Sequence, residues 1–158
     1  PGRERTGYQL RPLKEALLKQ DPDARIVIMG DLNDDPGNLS VSSPDALAAK
    51  SDKNACAPHD LYNPWYDMLY KQGVGTLYYR GKWNLFDQII LSPNLLNKDD
   101  KKDFSSLKFW KNQIFKRDYL FQTEGKYKGS PKRTTAGGVW LDGYSDHLPV
   151  VVYLVKEQ

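Results

Sequence analysis

The sequence predicts an α/β domain, and three observations carry that expectation. Leu10, Leu13 and Leu17 recur at helical spacing, with Arg11, Lys14, Glu15 and Lys19 filling the other face. That is the pattern of an amphipathic helix from about Thr6 to Lys19. Directly after it, the run Ile26-Val27-Ile28-Met29 is short, β-branched and bounded by turn residues, which predicts a buried strand ending at Gly30. The chain closes on Pro149-Val150-Val151-Val152-Tyr153-Leu154-Val155, a run of strand formers,. Helix followed by strand argues layered packing, and 158 residues suit one domain with a real core,.

The remaining elements follow in order. Asp21-Pro22-Asp23 stops the first helix,. Asp31-Leu32-Asn33-Asp34-Asp35-Pro36-Gly37 reads as a polar loop, and Ser43-Pro44 opens a short helix with proline in its first turn,. Asp60 is placed to cap a second helix through Trp65, Met68 and Leu69 that Gly73 ends,. Gly75 to Arg80 and Trp83 to Ser92 read as strands of a hairpin turning at Gly81-Lys82,. A charged connection spans 97–106, a strand Leu107 to Phe115, and a basic, aromatic, turn-rich loop Lys116 to Gly138.

Bulk properties narrow the function classes only slightly. No apolar run reaches the roughly 20 residues that span a bilayer. A net charge of +3 is too small to argue nucleic-acid binding by itself,. The single cysteine, Cys56, has no partner for an internal disulfide and reads as a structural thiol,. The chain opens on Pro1-Gly2-Arg3-Glu4 without a methionine, as the middle of a longer protein would. Any targeting signal is then upstream, and localisation stays unknown, with secreted and periplasmic fates open.

Three short stretches carry chemistry. Asp31 and Asn33 follow a buried strand, where α/β sheets commonly place their sites. The carboxylate can accept a proton and the amide can donate hydrogen bonds to developing charge, although an Asx-turn accounts for the pair about as well. Asp31, Asn33 and Asp35 also match the first ligands of a calcium loop. That reading fails, because Pro36 sits where glycine is needed, Ser42 where a glutamate is needed, and a strand precedes it,. Ser145-Asp146-His147 is no serine-hydrolase triad, since it lacks the final glycine of a nucleophile elbow and leads into a strand,. Asp146 as metal ligand beside His147 as acid, base or charge stabiliser makes better chemical sense. Asp87 lies mid-strand in Trp83 to Leu91, where a carboxylate needs a partner or a solvated face, and an imidazole is one such partner. His59, between Pro58 and Asp60, reads as structural.

Taken in order, Val27-Ile28-Met29-Gly30-Asp31-Leu32-Asn33-Asp34-Asp35-Pro36, Phe86-Asp87-Gln88-Ile89-Ile90-Leu91-Ser92 and Gly143-Tyr144-Ser145-Asp146-His147-Leu148-Pro149-Val150 resemble the C-terminal motifs of the endonuclease/exonuclease/phosphatase (DNase I-like) superfamily. The resemblance runs over nearly the whole chain. It implies that residues 1–158 are the C-terminal portion of such a domain, half of a four-layer α/β sandwich with mixed, mostly antiparallel sheet and flanking helices. It implies a divalent cation, magnesium or manganese, with Asp146 as a metal ligand. It gives Asp31 the water-orienting or leaving-group role, has Asn33 hold the phosphate and attacking water, and sets His147 on the scissile phosphate, oriented by Asp87. The substrate class is a phosphoester, a phosphodiester being preferred: nucleic acid, phospholipid or sugar phosphate. The superfamily's early Asn, its metal-binding Glu and a further His have no counterpart here, so the expectation is an inactive fragment that pairs with the missing N-terminal half or with itself. The alternative is a non-catalytic module binding phosphate or nucleic acid on the same fold. The segment from Phe115 to Arg133 interleaves bases and aromatics, suited either to gripping a phosphate backbone or headgroup or to plain solvation.

Overall fold

The computed structural model of the protein describes residues 4–99 and 101–158. Helix α1 (Glu4–Gln20) leads into strand β1 (Val27–Asp31), followed by α2 (Leu39–Ser42), β2 (Ala49–Lys50), β3 (Leu61–Tyr62), α3 (Tyr66–Tyr70), β4 (Leu77–Tyr79), β5 (Lys82–Asn84) and β6 (Asp87–Leu91). Then come β7 (Lys108–Ile114), β8 (Thr135–Ala136), β9 (Val139–Trp140) and β10 (Val150–Val155). The fold is α/β, with a mostly antiparallel sheet and few helices. A four-stranded sheet runs β1-β6-β3-β2, parallel only between β2 and β3, and β10 pairs with β7 in a separate antiparallel ribbon.

The pleat of β1 and β6 sorts their side chains into two layers. Ile28 and Ile90 are cross-strand partners and pack with Val41, Leu47, Leu61, Leu10 and Leu32 on the helical side,. Ile89 and Leu91 point the other way, onto Phe109, Val152 and Leu154 of the ribbon. There Trp65 and Leu85, both at 0% exposure, join Ile114 and Leu148. Trp65 also satisfies its indole by donating from Nε1 to the Ile89 carbonyl at 3.0 Å. On the helical side, Gln88 is fully buried with its amide fully engaged. Its Nε2 donates to the carbonyls of Asp34 and Leu85, and its Oε1 accepts from Asn63.

Several elements differ from expectation for identifiable reasons. Helix α1 buries Gly7 and Lys14, whereas Leu13 and Leu17 are 62% and 50% exposed. Gly7 sets this rotation, because a Cβ there would collide with the Ser40 carbonyl, so that face lies closest to α2. Lys14 survives burial by donating from Nζ to the His59 carbonyl at 2.6 Å. The short helix forms at Leu39–Ser42, ahead of Ser43-Pro44 rather than from it. Asp60 caps no helix: its carboxylate closes a turn onto the Ala57 amide, and Leu61–Tyr62 becomes a strand. The hairpin turns at Arg80-Gly81, both at positive φ, one residue earlier than the spacing suggests, and Trp83 to Ser92 splits into β5 and β6,.

Strand β1, expected to be buried and to end at Gly30, instead runs to Asp31 at the sheet edge with only Ile28 not exposed. The reason is that its other edge and its ribbon-facing side lack a covering neighbour among the described residues. Met29 is 73% exposed and Val27 lies beside it on the same face of β1 as Asp31. Among the described residues β1 pairs only with β6, and β10 only with β7. An apolar strip and two unpaired strand edges are therefore open to solvent.

Replacing Gln88 with leucine strips three buried groups of their hydrogen-bond partner at once. The expected loss is about 3 kcal/mol or more, read from urea denaturation as a lower midpoint with an unchanged slope.

Candidate active site

Three chain segments converge at one end of the two packed layers. Strand β1 ends at Asp31, β6 begins at Asp87 directly opposite it in register, and His147 lies just before β10. Antiparallel pairing therefore sets two carboxylates side by side on the ribbon-facing side of the sheet. Leu77 bridges to His147, and the Leu148 amide donates to the Thr76 carbonyl at 2.9 Å, which fastens the approach to β10 onto β4.

Asp87 lies in a half-buried position and takes its partners from both of the segments joined there. Its Oδ2 accepts from His147 Nδ1 at 2.7 Å and from Thr76 Oγ1 at 2.5 Å. The His147 side chain retains 21% exposure. With Nδ1 committed to the carboxylate, Nε2 is the nitrogen left to meet a ligand. The hydrogen bond to Asp87 lifts the His147 pKa above its ordinary value; burial opposes that, and the negative charges of Asp87, Asp31 and Asp146 add to it. Asp31 and Asp146 thus both lie within electrostatic reach of the ring.

The loop after β1 is built by its own acids. The Asn33 amide donates to Asp31 Oδ1 at 2.8 Å, so the Asx-turn does form, and it holds Asn33 exposed in the left-handed region at φ 52°. Asp34 is buried and accepts from Asn38 and Ser40. Asp35 accepts from the Leu85 amide and from Asn84 at 2.7 and 2.8 Å, tying the loop to the start of β6. These two carboxylates shape the site's floor and face away from any ligand, which also disposes of the calcium-loop pattern. Cys56 is buried with its thiol pushed up to about 11, and plays no part.

Asp146 is half-exposed and paired with Arg133, whose Nη2 donates to Oδ2 at 3.1 Å. Among the described residues no group of three or more His, Cys, Asp or Glu side chains is placed to hold a metal ion. Magnesium is usually held by one or two carboxylates, with waters and substrate phosphate completing its shell, so a cation here would rest on few protein ligands. No helix among them is long and apolar enough to cross a membrane.

Two residues of this cluster escape sequence reasoning. Thr76 is fully buried beneath Asp87, and Arg133 reaches Asp146 from a loop without regular pattern. Thr76 carries no local signal, and Arg133 is marked only as the end of the basic, aromatic segment from Phe115, because a single threonine or arginine gains its role only from what the fold sets opposite it.

A family model described as Endonuclease/Exonuclease/phosphatase family matches residues 1–156. The chain belongs to this family. Its members are usually hydrolytic, suggest metal-dependent phosphoester hydrolysis in general, and commonly use divalent metals. No curated protein and no solved structure matches the chain significantly. The family match takes in Asp31, Asn33, Asp87, Asp146 and His147 together.

The raised His147 pKa fixes the sign of one pH effect in the metal-free protein. Stability from the imidazolium–Asp87 pair is fully present below the unfolded value near 6.5 and is lost as pH rises through the higher folded value. Asp87→Asn is expected to lower the His147 pKa, followed by NMR of the ring protons, and to flatten stability against pH above 6.5. Thr76→Val should also move that titration and cost about 1–3 kcal/mol, whereas Thr76→Ser keeps both near wild type.

Proposed function

We propose that the full-length protein hydrolyses phosphoesters, phosphodiesters in preference to monoesters, with magnesium or manganese as the divalent ion. The observation that carries this reading is the Asp87–His147 hydrogen bond with Asp31 opposite Asp87 in register. An imidazole held by a carboxylate through Nδ1 presents Nε2 in fixed orientation, and protonated it offers a positive N–H to charge developing on a phosphoryl oxygen. Asp31, exposed at the strand end, suits orienting a water or managing a leaving-group proton, and Asn33 offers an amide donor beside it. Asp146 would contribute one carboxylate to the cation, with waters, substrate phosphate and any ligand from the rest of the full-length protein completing its shell. The open strip beside Met29 and the free edges of β1 and β10 support docking of the N-terminal half, or of a second copy, as the missing layer,. The competing reading is a non-catalytic phosphate-binding module, favoured by the Arg133 pairing that already occupies Asp146.

Turnover of a simple phosphodiester by the full-length protein separates these. With magnesium, His147→Ala is expected to lose at least about a hundredfold, and Asp87→Asn less. The double variant should be little worse than His147→Ala, because residues acting as one unit are non-additive. Excess chelator should abolish turnover, and residues 1–158 alone should have none. Losses that multiply would break the dyad, and a full-length protein that binds phosphate without turnover would establish the binding module.

A further inference from the structure

The segment between β7 and the Ser-Asp-His sequence reads as an irregular loop, yet it is laced tightly. The Lys132 amide donates to the Leu120 carbonyl at 2.7 Å, the Gln122 amide to the Ser130 carbonyl and the Gly129 amide to the Gln122 carbonyl, both at 2.8 Å. Thr134 Oγ1 donates to the Tyr144 carbonyl at 3.1 Å. Gly143 lies so close to Lys132 and Arg133 that a Cβ there would strike their backbone. Two things follow from this lacing. Tyr119 and Tyr144 are brought edge to face with ring centroids 5.5 Å apart, and Arg133 is delivered to Asp146.

Burial does not explain the ring pair, since Tyr119 is 57% and Tyr144 71% exposed. Arg133 makes one hydrogen bond among the described residues, and a guanidinium carries five donors in a planar fork, so most of the fork is open. Charge gives the cation a reason. Asp87, Asp31 and Asp146 all act on His147, and a site with that much negative charge repels a phosphate unless a cation offsets it. Arg133 is the cation at hand.

We propose that Tyr119, Tyr144 and Arg133 form a nucleotide subsite beside the dyad, with a base stacked on the tyrosine pair and its phosphate held by Arg133, so that the substrate class is single-stranded nucleic acid. This deepens, and rests on, the phosphoester reading of the same site. Aromatic rings accept any base face, and a neighbouring basic groove tracks the backbone. Bases and rings alternate along this segment: Arg117 lies over Phe115 at 4.5 Å and Lys126 over Tyr127 at 5.5 Å. Tyr144 stands two positions before Asp146, which keeps a stacked nucleotide's phosphate near the dyad. A lipid surface would instead engage exposed Val139 and Trp140 on the β8–β9 hairpin; the subsite is favoured because Arg133 bonds Asp146 directly and Tyr144 adjoins the Ser-Asp-His segment.

The test is fluorescence anisotropy of the full-length protein, in chelator, with a labelled single-stranded phosphorothioate DNA of mixed sequence. Tyr144→Leu and Tyr119→Leu are each expected to weaken binding roughly tenfold, and Tyr144→Phe to bind as wild type. Arg133→Gln should reduce the slope of log affinity against log salt by about 0.7, the value of one lost phosphate contact on a single strand. Circular dichroism melts show whether each variant folds, and the exposed tyrosines can be tested singly if one does not. Binding indifferent to both tyrosines and a salt slope unchanged in Arg133→Gln overturn the subsite. So does a wild type that ignores DNA and binds phosphatidylserine vesicles through Val139 and Trp140. A wild type that binds DNA through Tyr144 and Arg133 but cleaves no phosphodiester with magnesium supports the subsite and overturns only the catalytic reading.

Discussion

Everything at the site depends on one half-buried constraint, the need to satisfy the Asp87 carboxylate at the start of β6. An ionised side chain beginning a strand whose next four residues pack into the core must be paired or neutralised. The fold answers with a hydroxyl from below and an imidazole from the approach to β10, both on the same oxygen. Satisfying that oxygen draws β4, β6 and the segment before β10 together, because Thr76 bonds Asp87 with its side chain and Leu148 with its backbone. The dyad is thus part of how the layers are joined, and its orientation is held by the same bonds that hold the fold.

A second set of acids works in the opposite sense. Asp34 and Asp35 turn inward and spend their oxygens on Asn38, Ser40, Asn84 and the Leu85 amide. Inward acids brace the loop, so that Asp31 and Asn33 are left exposed at its mouth without the loop collapsing. Arg133 then sets the local balance of charge, since the cluster around His147 would otherwise be strongly negative. The membership of this chain in the Endonuclease/Exonuclease/phosphatase family fits such a division between acids that build and acids that face a ligand.

The open side of the molecule has the same physical origin as its core. Among the described residues β1 and β10 each carry one paired edge and one free edge, and the strip at Val27 and Met29 belongs to the layer that the ribbon covers only over β6. Helix α1 adds Leu13 and Leu17 to the exposed apolar surface, because the close contact at Gly7 and the Lys14–His59 bond turn its other side inward.

Much of this was legible in the sequence, and the boundary is informative. The α/β class and strands β7 and β10 follow from local pattern, since apolar periodicity marks strands and a charged residue inside one advertises a partner. The grouping of Asp31, Asn33, Asp87, Asp146 and His147 is instead implied by the resemblance of three ordered motifs to the family. Periodicity found α1 but misjudged its buried face, because leucine spacing cannot reveal that a glycine permits the closest approach or that a lysine finds a carbonyl. Only the tertiary structure could decide that Thr76 lies under Asp87, that Asp34 and Asp35 face inward, and that a patternless loop brings Arg133 to Asp146. Those are pairings between residues as far as 50 positions apart, and each is selected by the shape of the packed layers. Sequence determines which groups need partners; the packed backbone determines which partners they find, since a hydrogen bond forms only where two groups are held within reach.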